Sequence, residues 1–262
     1  MEIMTMTTKT DYKTTALIFL GFFLLIVIGN LVLASSFDFP DILRKSPDER
    51  FTLFQANQGT IVLAYYMMSV TSILQVYMAV AMYQITKKGR MVDLFAVTSG
   101  ILSGVFQMLG FFRWVILIPM LSNAYNTKEI DSETIFFLEK FANTYMGMTV
   151  GEHLGTLFTG LWLIALGVAL VQNKAFDKKL SWLGLISGVA LFIQSYESVN
   201  ASALSFLGDI SIGLWALYVV WALIMSIMLF QKKDETSPQT VRWGVWLFGA
   251  VLYLANVIPS LL

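Results

Sequence analysis

Cysteine is absent from all 262 residues, and histidine occurs once, as His153. The first absence removes disulfides, thiolate metal ligands, iron–sulfur clusters and cysteine nucleophiles together. The second rules out a haem held by two histidines of one chain and leaves no His-rich zinc site. No cofactor and no metal is expected. Charge is scarce too, at 13% of residues against roughly a quarter in soluble domains. The 17 Lys+Arg balance 17 Asp+Glu, so there is no basic surface for nucleic acid.

Long apolar runs stand in their place. The chain is 57% hydrophobic, with a mean hydropathy of +0.71. A bilayer core about 30 Å thick needs roughly 20 apolar residues in helix. Seven segments meet that length, at about 15–36, 59–85, 94–121, a fourth beginning after 141 and ending near 171, 180–199, 207–230 and 241–262. The expected fold is an all-α polytopic membrane helix bundle, one domain over 1–262 with seven transmembrane helices.

Charge between the runs orients them. Lys9 and Lys13 precede the first; Lys87, Lys88 and Arg90 follow the second; Lys174, Lys178 and Lys179 follow the fourth; Lys232, Lys233 and Arg242 follow the sixth. The other links are acid-rich at 38–50 and 128–140, or short and polar around Asn200. By the positive-inside rule the basic links are cytoplasmic, which puts the N-terminus inside and the C-terminus outside. Ala34-Ser35-Ser36 offers small residues after the first run, but that run is longer than a signal peptide's apolar region, which favours a retained span.

Two short helices are expected on the outer side. Near 46–58, Ser46-Pro47-Asp48-Glu49 combines an N-cap serine, a first-turn proline and a glutamate placed to close a capping box. Near 131–141, Asp131 or Ser132 caps a helix that either stands apart or runs straight into the fourth span. No internal repeat of the transporter type is evident.

Ionisable residues inside a span are costly and usually face a bundle interior or a water-filled cavity. Three stand out: Arg113, Glu152 and His153. Alternating direction places them at one level toward the outer ends of spans three and four. Asn30, Gln194, Glu197, Asp209, Asn256, Tyr65 and Tyr66 fall in the same outer halves, and Gln75 lies near mid-span. Thr149, Glu152, His153, Thr156 and Gly160 share one stripe at α-helical spacing. Gly147, Gly151 and Gly155 form a G-x-x-x-G ridge beside it, and Gly100 and Gly104 repeat the spacing in span three. Such ridges let helices approach closely, so spans three and four are expected as neighbours joined by an Arg113–Glu152 ion pair. The purely structural alternative is an internal lock fixing helix register, with Arg113 snorkelling outward, Glu197 in the interface and Asp209 capping span six.

Specific chemistries can be weighed against these residues. The seventh span carries no lysine for a retinal Schiff base. Zincin catalysis needs H-E-x-x-H, whereas here Glu152 precedes a lone His153. Serines are plentiful, but no G-x-S-x-G elbow accompanies them. His153 remains a chemically reasonable proton carrier near neutral pH.

The strings "FDFPDILRK" after the first run, "GFFRWVILIPML" in the third and "VGEHLGTLFTGLW" in the fourth resemble those of bacterial membrane proteins grouped as domain of unknown function 4386. The resemblance covers nearly the whole chain. It implies a multi-span fold in the bacterial inner (plasma) membrane and brings no activity with it. The functional expectation is a small or lipid-like ligand, amphipathic or anionic, in an outward-facing polar pocket serving sensing or transport. Arg113 would supply the positive group, Glu152 and His153 an acceptor and donor, and Trp114, Tyr65 and Tyr66 the walls, with Gln194 and Glu197 nearby. The alternatives are a structural or accessory subunit whose glycine ridges bind a membrane-protein partner, and an intramembrane acid–base enzyme.

Overall fold

The computed structural model describes residues 11–173, 176–199, 206–232 and 241–257, the side chains of 198, 209 and 256 excepted. Lys9, Lys174, Lys233 and Asn200 lie outside them, as do the side chains of Asp209 and Asn256. Among the described residues every regular element is a helix. We number them α1 (Tyr12–Phe37), α2 (Pro47–Ala56), α3 (Gln58–Thr86), α4 (Met91–Thr127), α5 (Ser132–Asn173), α6 (Lys178–Gln194), α7 (Ser211–Gln231) and α8 (Trp243–Val257).

Local chemistry sets the boundaries. Asp11 caps α1 by accepting the N–H groups of Lys13 and Thr14. Ser46 and Glu49 close the capping box of α2, with Pro47 at its first turn. Asp131 caps α5 through the Thr134 N–H, and the helix continues without a break for 42 residues, so the short helix near 131–141 is its first part. α6 ends at Gln194 and gives way to a 3-10 turn over Ser195–Ser198. A one-turn helix, Phe206–Asp209, precedes α7, and Ile210 occupies the α7 N-cap position expected for Asp209.

Two helices are wound wider than α in their middles. In α4, residues Arg113–Leu117 bond i→i+5, and the Ile118 N–H reaches the Arg113 carbonyl. Pro119 follows at once; it has no N–H and its ring crowds the carbonyl four residues back, so a widened turn relieves the strain. In α5 the wide stretch runs over Asn143–Leu154, a segment holding two glycines and bounded by Gly155, where α-helical preference is weak. Such π segments are rare and cluster at functional sites.

The helices close a ring. α1 packs on α3, α3 on α4, α4 on α5, α5 on α6, α6 on α7, and α7 returns to α1; α8 lies outside, against α7. One face of the ring carries α2 and the 3-10 turn Asp41–Arg44, and is called the cap face below; the opposite face carries Lys13, Lys87, Arg90, Lys178 and Lys232 at the helix ends. The ring is filled by Phe19, Phe22, Met78, Trp162, Leu166, Tyr218, Trp221 and Met225 among others. A second cluster under the cap joins Phe37, Leu43, Phe51 and Phe54 to Tyr65, Trp114 and Leu121. Leu17, Leu24, Ile28 and Leu31 form an exposed apolar stripe along α1, the surface a helix presents to lipid.

Among the described residues five helices are long and apolar enough to cross a membrane: α1, α3, α4, α5, and α7 with its preceding turn. At 17 residues, α6 spans about 26 Å at 1.5 Å per residue. α8 has 15 residues. These are the fifth and seventh of the seven expected spans, and their described residues form shorter helices than the other five.

Candidate functional site

Arg113 lies at the start of the π segment of α4 and is 5% exposed. The ion pair expected with Glu152 is not formed. One Arg113 Nη donates to the Gly110 carbonyl at 2.8 Å and the other to Asn143 Oδ1 at 3.1 Å. Its guanidinium carbon sits 5.4 Å from the ring centre of Trp114, in cation–π range. Gly147 makes the room, since a Cβ there would lie 2.4 Å from an Arg113 Nη. The pairing fails because the face of α5 turned to Arg113 carries Asn143, Gly147 and Gly151, with Glu152 beside it; π winding shifts hydrogen bonding along this stretch. Thr149 shows the change: its hydroxyl donates to the carbonyl of Thr144, five residues back.

Glu152 is taken instead by Arg44 from the 3-10 turn of the cap, at 2.8 Å. Glu197 flanks the same guanidinium at 3.9 Å. Burial pulls the Arg44 pKa down, but the Glu152 charge and hydrogen bond, with Glu197 and Asp41 behind them, outweigh it and leave it raised. His153 ties α5 to the end of α6, its Nδ1 standing 2.7 Å from the Ser195 carbonyl oxygen. The Ser195 hydroxyl donates to the Phe192 carbonyl, so it is not set up as a nucleophile on His153. Gln194 is buried beside this contact.

Trp114 and Tyr65 are both 1% exposed and stack on each other at 5.2 Å with 9° between their planes. Phe37 meets Trp114 edge-on at 4.8 Å. Tyr66, its neighbour in sequence, is 51% exposed and points away from this stack. Arg113, Trp114 and Tyr65 therefore form one layered unit under the cap. Several polar atoms here are buried without a partner: Arg113 Nε, Trp114 Nε1, Tyr65 Oη and Glu152 Oε1, with Gln194 Oε1 near the end of α6.

Three polar contacts fasten the cap to α5, two of them buried. Arg50 grips Glu139 with two hydrogen bonds, at 2.7 and 2.5 Å, and both side chains are almost fully enclosed. Asn143 donates to the Leu43 carbonyl at 3.0 Å, so it links Arg113 to the cap directly. The third is the half-exposed Arg44–Glu152 pair. An open groove of about 490 Å³ on the cap is lined by Ile42, Lys45, Asp48, Glu49, Thr52, Leu53 and Ala56, separate from Arg113 and Glu152.

The glycines divide their work. Gly151 crosses α4 at Gly110, where an added Cβ would meet the Gly110 Cα at 2.8 Å, and Gly155 lies on Gln107. Gly100 and Gly104 face α3 at Ala79, Ser72 and Val76, with Trp162 of α5 also against Gly100. Below the crossing, Gln107 Nε2 donates to the hydroxyls of Ser103 and Thr159, at 3.0 and 2.9 Å.

Four residues of the cluster were missed by sequence reasoning: Arg44, Arg50, Glu139 and Asn143. Arg44 stands inside the string "FDFPDILRK", and Glu139 and Asn143 are one helical turn apart. Nothing local to any of them names a partner about ninety or more positions away. No curated protein and no solved structure matches the chain. The pattern described as Domain of unknown function (DUF4386) matches residues 14–232, from the first turn of α1 to the end of α7. The chain belongs to that family.

Proposed function

We propose that this is a seven-crossing protein of the cell's inner membrane that binds a small or lipid-like ligand beneath its cap, for sensing or transport. In this reading the cap face is external, the N-terminus is cytoplasmic, and α6 and α8 cross with the five longer helices. The described basic residues at the helix ends away from the cap, Lys13, Lys87, Arg90, Lys178 and Lys232, support that orientation.

The observation that carries the binding reading is the set of buried, unpartnered polar atoms on Tyr65, Arg113, Trp114 and Glu152. Each such atom costs on the order of 1–3 kcal/mol when left unsatisfied. Three of the four side chains sit in π-wound stretches, themselves a costly local geometry. A ligand group that meets these atoms would offset that cost. The accessory-subunit reading has one observation in its favour, the backbone-close crossing of Gly110 and Gly151, which glues helices whether or not a ligand binds.

The absence of cysteine makes the test clean. A His153→Cys variant in intact cells should react with a membrane-impermeant maleimide added outside, and faster when Arg44→Ala removes the cap's exposed fastening. A cysteine at 153 that stays unreactive in both backgrounds until the protein is denatured refutes the pocket. Ser260→Cys reacting only after the membrane is permeabilised refutes seven crossings.

A further inference from the structure

We propose that the ligand's recognised group is an oxyanion, a carboxylate or a phosphate, held by Arg113 Nε, Trp114 Nε1 and Tyr65 Oη. This rests on the pocket reading above and assigns its chemistry. Three buried side chains in one stack each keep an unpartnered N–H or O–H. An indole N–H can only donate, and so can guanidinium Nε. The shortage in this layer is therefore of acceptors.

Charge points the same way. Arg113 has a carbonyl and an amide oxygen as partners, and among the described residues no carboxylate lies within ion-pair distance of it. The nearby acids are already engaged: Glu139 by Arg50, and Glu152 by Arg44 with Glu197 alongside. A buried cation without a counter-ion is strongly unfavourable, and an oxyanion supplies both charge and acceptors. A ligand amine would find only the free Glu152 Oε1 and would leave all three donors unpaired.

The layer is covered by Phe37, Leu43 and Phe54 of the cap cluster, so the group attached to the oxyanion meets apolar surface. Access requires the cap to lift. Asn143 couples the two events, because one end of its amide accepts from Arg113 and the other donates to the Leu43 carbonyl. An oxyanion that draws Arg113 toward itself weakens the Asn143 tie to the cap.

The test uses the full chain in a non-ionic maltoside detergent, free of phosphate, and reads thermal unfolding. Oleate, a long-chain phosphatidate, inorganic phosphate and acetate are the oxyanion probes; oleyl alcohol and oleylamine are the controls. A hundredfold excess over Kd should raise the midpoint by about 5–10 °C. Oleate or phosphatidate acting alone assigns a lipid-borne group, whereas inorganic phosphate or acetate acting alone assigns a free anion. Tyr65→Phe and Trp114→Phe should each weaken the effect about tenfold. Tyr65→Phe should not lower the midpoint of the unliganded protein, because it removes only a hydroxyl that has no partner there; Trp114→Phe also empties part of a packed core, so its ligand shift is read against its own, lower unliganded midpoint. If oleyl alcohol or oleylamine matches oleate, the pocket stands and the oxyanion assignment is overturned. If no probe shifts the midpoint, both fall. A lowered unliganded midpoint in Tyr65→Phe would show that the hydroxyl already has an internal partner, which also overturns the assignment.

Discussion

Arg113 shows how much one glycine can decide. Its guanidinium occupies the space a side chain at Gly147 would need, and it is pinned there from two sides by the Gly110 carbonyl and Asn143. Gly147→Ala should therefore cost about 1–3 kcal/mol, the usual range for overpacking a filled interior. Gly59→Ala is the control, since nothing lies within 4 Å of a Cβ built there. Equal chemical-denaturation midpoints for the two variants would show that Arg113 moves aside freely. Arg113, Glu152 and His153 could be selected from sequence because charge inside an apolar run is conspicuous whatever the fold. Their partners could not, because Arg44 and Asn143 are ordinary polar residues until the cap turn is folded over α5.

At the scale of elements, the cap is the feature that local signals described best and placed least. Ser46, Pro47 and Glu49 specify where α2 begins through contacts within four residues. Where α2 lies is decided by Arg50 and Glu139, which are 89 positions apart in sequence. Breaking that buried pair with Glu139→Gln leaves Arg50 without its carboxylate and should cost about 3–5 kcal/mol. Replacing both, with Arg50→Met and Glu139→Leu, should recover most of the loss. Hydrogen exchange over residues 41–57 would report both effects, and a single variant as protected as the parent would show that α2 is held by its phenylalanines alone. The wide turns follow the same division. Pro119 marks one in the sequence, while the longer one in α5 has no comparable local signal.

At the scale of the whole molecule, six helices complete the ring and α8 is attached to its outside. The family pattern ends at residue 232, where the ring is already complete. Removing residues 241–262 should leave the ring folded, with the cap cluster and the Arg44–Glu152 pair intact. Size-exclusion behaviour and thermal unfolding in detergent would check this, and loss of a cooperative transition would show that α8 is integral to the core. The truncation exposes the face of α7 now covered by α8, so a modest drop in midpoint is expected.

The sequence by itself determined the class of protein: apolar runs of bilayer length, charges gathered mostly in the links, and no residues for thiolate or multi-histidine metal chemistry. Those properties are set by composition and by spacing along one helix, which require no knowledge of neighbours. It also led to the expectation that Arg113, Glu152 and His153 share one level, because alternating direction converts chain position into height in a bundle. Only the tertiary structure decided which of those groups meet. Arg113 meets Asn143 because the Asn143–Gly147–Gly151 face of α5 lies against α4, and Glu152 is held by a cap residue 108 positions away. Pairing over such separations depends on the ring closing first, and no local spacing encodes that.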